Sequence, residues 1–144
     1  MKILFLSTML IFSHFALASF DGKFQGPGKA TFASGRNFVC PEVFLHLVQT
    51  KESLKILTGG YNCIDFSAYF DPSSFEISSG ELFYQGKKVG TLSENRIEIS
   101  VFDPEDGSTY HLLLSRTVKG LTYQEKWLVE NEVALEVTGD LSRL

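Results

Sequence analysis

The two cysteines of the chain, Cys40 and Cys63, constrain the fold more than any other feature. They flank two alternating apolar runs that are separated by a polar turn at Lys51 and Glu52. If that turn is the middle of a β-hairpin, counting outward from it places Cys40 directly opposite Cys63. Opposed Cα atoms of an antiparallel pair are about 4.5–5.5 Å apart, which is within the range that a disulfide requires. The sequence therefore predicts a β-hairpin closed by one disulfide.

The two faces of this predicted hairpin differ in character. The face expected to point into the core is apolar throughout and carries Val43, Leu45, Leu47, Leu54 and Ile56. The other face is mixed and carries Phe44, His46, Val48, Lys55, Leu57 and Tyr61. Because both cysteines share the mixed face, the disulfide is expected to cap one end of the hairpin or to lie on its outside.

Residues 1–18 have the pattern of an export signal peptide. Lys2 supplies a positive charge, the run from Ile3 to Phe12 is largely apolar, and Ala16-Leu17-Ala18 matches a cleavage site of small residues. The apolar run is shorter than the ~20 residues that cross a bilayer. We therefore predict cleavage after Ala18, a periplasmic or secreted protein without a membrane span, and a single domain over residues 19–144. An uncleaved N-terminal anchor is the alternative.

The rest of the chain has the pattern of an all-β protein. Short alternating runs are separated by turn residues, and no run has the 3.6-residue period of a long amphipathic helix. The 13 Phe and 5 Tyr suit half-buried strands. Because closing the sheet removes exposed strand edges, the expected fold is a small antiparallel up-and-down β-barrel of roughly 8–10 strands with one disulfide. Gly26-Pro27-Gly28 interrupts the first predicted strand, so an edge, bend or bulge is expected there.

A membrane-spanning barrel is the main rival to this prediction. Such barrels have an outward apolar band and a polar interior. Here the apolar stripes of successive predicted hairpins instead form one shared core, and the polar residues Glu98, Ser100 and His111 occupy the opposite faces. The pattern therefore favours a barrel with an apolar interior.

Charge and motif content exclude several classes of function. The net charge of −4 argues against nucleic acid and anionic lipid surfaces as partners. No nucleophile elbow, phosphate loop or metal-ligand spacing is present, so no catalytic residue, cofactor or metal site is predicted. The acidic turn Asp103–Ser108 lacks the ligand spacing of a calcium-binding EF-hand and is interpreted as a solvated turn.

One group of residues is a candidate ligand site. Strand alternation places five side chains on the core side of the last strands: Tyr110, Arg116, Tyr123, Glu125 and Trp127. Phe83 is added as a further residue of the pocket wall. An inward carboxylate is costly unless it is paired, so one interpretation pairs Glu125 with Arg116 at the mouth or floor of a pocket. The favoured interpretation is that Glu125 lies near an open end in water and the aromatic residues belong to the core.

The start of the predicted domain resembles the lipocalin and calycin group of small barrels. Gly22-Lys23-Phe24 stands where that group carries Gly-x-Trp, with Phe in place of Trp. The resemblance implies a barrel open at one end that binds a small apolar molecule. The expected function is thus a non-catalytic binding module for an apolar or amphipathic ligand. The alternative is a protein-binding inhibitor or interaction module of the cell envelope, with an exported protein partner that contacts loops such as Asn37–Pro41 or Asp103–Ser108.

Overall fold

The computed structural model describes residues 19–144, which form eleven β-strands and no helix. The predicted signal peptide lies outside the described residues. The strands are β1 (Gly22–Phe32), β2 (Asn37–Gln49), β3 (Ser53–Cys63), β4 (Phe66–Tyr69), β5 (Ser73–Ser78), β6 (Glu81–Tyr84), β7 (Lys87–Leu92), β8 (Arg96–Asp103), β9 (Ser108–Arg116), β10 (Gly120–Val129) and β11 (Glu132–Arg143). Within this part of the chain, no helix is long and apolar enough to cross a membrane.

The strands form a closed antiparallel ring. Each strand from β5 to β10 pairs with the strand that follows it in the chain, β11 pairs with β1, and β1 pairs with β2. The additional pairing of β2 with β3, and of β3 with β5, completes the ring. The short strand β4 follows the same edge of β3 as β5 does. The predicted all-β, up-and-down antiparallel fold with one disulfide is therefore confirmed.

One apolar core fills most of the ring. The predicted inward face of the first hairpin is buried, with Leu45 and Leu54 each 1% exposed. Ile97 lies opposite Leu114 and Ile99 opposite Leu112, as the alternation predicts, and all four side chains are buried. Burial of each such side chain contributes about 1.5–3 kcal/mol, so these stripes are the main source of stability.

The disulfide between Cys40 and Cys63 is confirmed, but the register of its hairpin is not the simple one. Leu47 lies opposite Ile56 as predicted, whereas His46 lies opposite Thr58, so the register shifts by one residue at a bulge. Beyond the bulge the two faces of β3 exchange. The prediction that Cys40 lies on the mixed face was also wrong. A second register shift, in which Gly26 lies opposite Val43 and Gly28 opposite Cys40, places an extra residue in β2 and turns Cys40 into the core, where it is 0% exposed.

This second bulge lies opposite the predicted irregular segment of β1, and its extra residue is on β2. The register of β1 against β2 shifts between Gly26 and Gly28, where Pro27 supplies no backbone donor. A Cβ atom added at Gly26 would lie 2.0 Å from the Asp140 carbonyl oxygen, so only glycine permits this approach to β11. β1 is therefore an inner strand that faces a bulge in β2, and not an edge strand.

One end of the ring is closed by aromatic side chains with arginines over them. We call it the closed end; it contains Phe20, Phe24, Arg116 and Arg143. Phe20 is fully buried, and the Arg116 guanidinium carbon lies 4.2 Å from the centre of its ring. The Arg143 guanidinium carbon lies 5.0 Å from the centre of the Phe24 ring.

The wall of the ring is incomplete near the other end. The hairpin of β6 and β7 is short, and β7 pairs with β8 only up to Ile99, while β8 continues to Asp103. On the far side of the gap, β4 pairs with β3 alone. No strand therefore lies between β4 and the last residues of β8. We call this end, with the gap in its wall, the cavity end.

Candidate functional site

A cavity of about 320 Å³ lies at the gap in the wall. Its lining is mainly aromatic and consists of Tyr69, Phe70, Phe75, Tyr84, Tyr110 and Trp127, with the aliphatic residues Ile56, Ile99 and Val101. The polar residues that line it are Asp71, Ser73, Asp103 and Ser108. Ligand sites in proteins typically enclose about 300–1,000 Å³ and combine apolar walls with a few polar groups, so the cavity is at the small end of that range.

The strand register holds the aromatic wall together. Trp127 on β10 lies directly opposite Tyr110 on β9, and their ring centres are 5.1 Å apart in an edge-to-face arrangement. Phe70, in the break between β4 and β5, contacts the same tyrosine with a ring-centre distance of 6.0 Å. Edge-to-face pairs of this kind add about 0.5–1.5 kcal/mol beyond the burial of their area. The three rings therefore form a rigid surface that reaches across the gap.

A buried carboxyl group lies behind this wall. Glu125 is 0% exposed and accepts hydrogen bonds from the Tyr123 hydroxyl, from the Trp127 indole N–H and, at 3.4 Å, from the Tyr61 hydroxyl. Its strand partners on either side are the buried, apolar Leu112 and Val137. The carboxyl group is thus solvated by three neutral donors and has no cationic partner among residues 19–144.

Burial sets the ionisation of this cluster. It raises the pKa of Glu125 from 4.5 to about 7, although the three donors act in the opposite direction because they stabilise the carboxylate. Burial and the nearby Glu125 charge together raise the pKa values of Tyr61, Tyr110 and Tyr123 above their usual value. The tyrosines therefore stay neutral at physiological pH, and Glu125 is the group of the cluster that titrates near neutrality.

Four of the residues predicted as a site come together in the structure. Tyr123, Glu125 and Trp127 are joined by hydrogen bonds, and Tyr110 packs against Trp127. Tyr110 and Trp127 line the cavity, whereas Tyr123 and Glu125 form the layer behind it. Alternation along β9 and β10 was sufficient to find this group.

Both interpretations of Glu125 were wrong: the carboxyl group is not in water at an open end, since Glu125 is 0% exposed, and it is not paired with Arg116. Arg116 lies opposite Leu121, whereas Glu125 lies opposite Leu112, so four residues separate them along β9. At about 3.3 Å per residue this is roughly 13 Å, beyond the reach of an ion pair. Arg116 is at the closed end, where it donates hydrogen bonds to the Ser19 and Glu94 carbonyl oxygens at 3.0 and 3.1 Å.

Phe83 is also separate from the cavity. Its neighbour Leu82 points into the core and is fully buried, so Phe83 is on the opposite face of β6, where it lies across from Glu76 and Lys88. The next residue, Tyr84, lines the cavity in its place. The short β6 strand offered too few alternating residues to fix which face is inward.

Tyr61 is the donor that sequence reasoning missed. It was placed on the mixed face of the first hairpin, but the bulge at His46 and Leu47 turns it inward, where it is 2% exposed. The two glycines that precede it, Gly59 and Gly60, were the available signal, because glycine within a strand often marks a bulge or a close approach. A Cβ atom at Gly60 would lie 2.2 Å from the Ala68 carbonyl oxygen.

Two loop carboxylates are at the cavity. Asp71, between β4 and β5, and Asp103, at the end of β8, both line it. Asp103 also accepts the Glu105 backbone N–H at 2.8 Å, which shapes the predicted acidic turn. Within residues 19–144 no group of three or more His, Cys, Asp or Glu side chains is arranged to hold a metal ion.

Comparison with known proteins finds no family model that matches this chain and no match among curated proteins.

Proposed function

We propose that this chain is a non-catalytic binding protein that holds a small apolar or amphipathic molecule in the cavity at the gap in its wall. The observation that carries the proposal is the aromatic lining of a cavity of about 320 Å³. Its size suits a molecule with one substituted ring better than a long lipid tail. The resemblance of Gly22-Lys23-Phe24 to the lipocalin group is in keeping with this function.

The proposed site of action is outside the cytoplasm. A disulfide such as Cys40–Cys63 persists in an oxidising compartment, and rarely in a reducing one. The predicted signal peptide points to the same compartment. We therefore propose a periplasmic or secreted ligand carrier.

The fluorescence of Trp127 provides a direct test, because it is the single Trp of the chain and lines the cavity. Titration with 2-phenylethanol is expected to change its emission in a saturable way. The variant Val101→Phe, which fills the cavity, should weaken binding at least about tenfold. The control Ser100→Phe adds the same ring at an exposed neighbouring position and should bind as the native protein does.

Two results would contradict the proposal. The first is equal binding by native protein and Val101→Phe. The second is the absence of a saturable response, by fluorescence or by calorimetry, to 2-phenylethanol and to its charged analogues 2-phenylethylammonium and phenylacetate. Thermal unfolding of both variants is measured as well, because a variant that has lost only the cavity still unfolds cooperatively, whereas a variant that has lost the fold does not.

A second candidate function is the docking of another exported protein at the rim of the same end. Large apolar side chains are exposed there: Val39 at 60%, Ile64 at 56%, Tyr69 at 68% and Phe102 at 61%. In size-exclusion chromatography of an extract of the source cells, the protein would then elute as part of a larger complex. Ile64→Ser with Phe102→Ser should abolish that complex, whereas Val101→Phe should leave it intact. A complex that survives the double substitution would contradict docking at this rim.

A further inference from the structure

The charge of the cavity differs from what a carrier of fatty acids or other anions would need. Asp71 lines one side of it and Asp103 lines the other, and no lysine, arginine or histidine is in its lining. An anionic ligand would meet two carboxylates and no cation. Both carboxylates are exposed at the mouth of the cavity, so they repel an approaching anion, and this repulsion is screened by salt.

The walls of the cavity are suited to a positive charge. Aromatic faces carry negative electrostatic potential, and a cation within about 6 Å of a ring centre is attracted to it. Tyr110 and Trp127 supply such rings. The indole N–H of Trp127 is hydrogen-bonded to the buried Glu125 carboxyl group, which adds negative charge behind the ring when it is ionised.

A buried hydroxyl group provides an observation independent of the acidic residues. Ser108 lines the cavity and is 6% exposed, and its Oγ atom has no hydrogen-bond partner in the part of the chain that the structure describes. The Ser108 backbone N–H donates a hydrogen bond to the Asp106 carboxylate at 2.8 Å, but the Ser108 Oγ atom has no partner within hydrogen-bond geometry. The Oγ atom is therefore free to accept a hydrogen bond from a ligand.

The closed end of the same ring shows how this chain places cations on aromatic rings. There Arg116 lies over Phe20 and Arg143 over Phe24. In the cavity the aromatic rings are present and the carboxylates are present, but the cation is not. The position that a protein cation occupies at the closed end is thus left for a ligand at the cavity end.

We propose that the cavity selects an organic cation, a protonated amine or a quaternary ammonium group attached to a small apolar body; this inference rests on the proposed function. The apolar body packs among the aromatic walls. The cationic group faces Asp71 and Asp103 across the mouth, and a protonated amine donates a hydrogen bond to Ser108 Oγ. A neutral molecule of the same shape binds through the walls alone.

The test compares three probes of nearly the same size: 2-phenylethylammonium, 2-phenylethanol and phenylacetate. Their affinities are measured at pH 7.5 and low salt by Trp127 fluorescence and by calorimetry. The cation is expected to bind about tenfold tighter than the alcohol, and the anion to bind weakest. Because exposed charges are screened by salt, the preference for the cation should fall in 0.5 M NaCl, where the Debye length is only a few ångström.

Charge-neutral variants localise the effect. Asp71→Asn combined with Asp103→Asn should reduce the preference for the cation to about threefold or less, while the affinity for 2-phenylethanol stays the same. The control Glu105→Gln removes an exposed carboxylate of the same loop that does not line the cavity, and it should keep the full preference. An equal loss in Glu105→Gln would show a general charge effect and would overturn the inference.

The outcomes separate the two proposals. If 2-phenylethanol binds and 2-phenylethylammonium binds no tighter, the inference fails and the proposed function stands. Tightest binding of phenylacetate would also overturn the inference alone. If none of the three probes binds, the proposed function fails, and the inference fails with it.

Discussion

The two ends of the ring use the same kind of side chain for different purposes. At the closed end, Phe20 and Phe24 are buried, and the guanidinium groups of Arg116 and Arg143 lie over their rings. At the cavity end, Tyr110 and Trp127 line an open space of about 320 Å³ with carboxylates and no cation beside them. At the closed end the rings are covered by the chain's own arginines. At the cavity end Arg36 lies 5.1 Å from the Phe38 ring centre, but none of the described cations lies over Tyr110 or Trp127, which line the cavity, as expected of a binding site.

The charged loops follow the same division. The turns at the cavity end carry the bases Arg36 and Lys87 and a larger number of acidic residues: Asp65, Asp71, Asp103, Glu105, Asp106, Glu130 and Glu132. The turns and termini of the closed end carry both signs: Lys51, Arg96, Lys119 and Arg143 with Asp21, Glu52, Glu81 and Glu94. Since charges around an opening steer the approach of oppositely charged molecules, the acidic loops favour the approach of cations to the cavity.

The largest expected effect comes from opening the closed end. Phe20→Ala removes a fully buried ring, and this is expected to lower the free energy of unfolding by about 3–5 kcal/mol. Urea unfolding followed by circular dichroism measures the change. Val118→Ala, at a fully exposed position near the same end, should change the value by no more than about 0.5 kcal/mol.

Binding separates the two ends further. If they act independently, Phe20→Ala protein that is still folded at low temperature should bind 2-phenylethanol within about twofold of the native affinity. Loss of binding in a folded variant would contradict the division into a structural end and a binding end.

The pH dependence of stability is the next largest effect. Because the folded protein holds the Glu125 proton more tightly than the unfolded chain does, stability from this group is complete below pH 4.5 and is lost as the pH rises to about 7. The loss is on the order of 3 kcal/mol. The other titratable groups that face Glu125 are Tyr61, Tyr110 and Tyr123, and their raised pKa values keep them neutral throughout this range.

The variant Glu125→Gln tests this pH dependence of stability. Because glutamine does not titrate, the variant should lack the loss of stability with rising pH, so its free energy of unfolding relative to that of the native protein should increase between pH 4.5 and pH 8. Glu105→Gln, at an exposed position, is the control and should show the native dependence. Parallel pH profiles for native protein and Glu125→Gln would show that Glu125 does not titrate in this range.

The smallest effect is expected at the arginine that covers Phe20. Arg116→Met keeps an apolar side chain but removes the cation and two hydrogen bonds to carbonyl oxygens, so stability should fall by about 1–2 kcal/mol. Arg116→Lys should recover part of the loss. If Arg116→Met were as stable as the native protein, the arginine would not contribute to closing this end.

Strand periodicity was sufficient to predict much of this fold and part of the site. The facing stripes of β8 and β9, such as Ile99 opposite Leu112, follow from strict alternation between adjacent strands joined by a short turn. The same rule brought Glu125 and Trp127 to one face of β10. Where no bulge intervenes, alternation alone fixes which side chains meet.

The remainder depended on features that alternation does not encode. An extra residue in β3 turned Tyr61 inward, and another in β2 turned Cys40 inward; the sequence alone does not show where such bulges fall. The cavity itself arises because β6 and β7 are shorter than their neighbours, which is a property of how far pairing extends. Arg116 was assigned to the wrong end because facing inward does not specify the depth along the strand.

The most direct test of this account is a crystal structure of the protein with 2-phenylethylammonium. The account predicts the phenyl ring among the aromatic walls and the nitrogen atom within about 6 Å of the ring centre of Trp127 or Tyr110, facing Asp71 and Asp103. A cavity occupied by the protein's own side chains, or an ammonium bound elsewhere with this space empty, would contradict it.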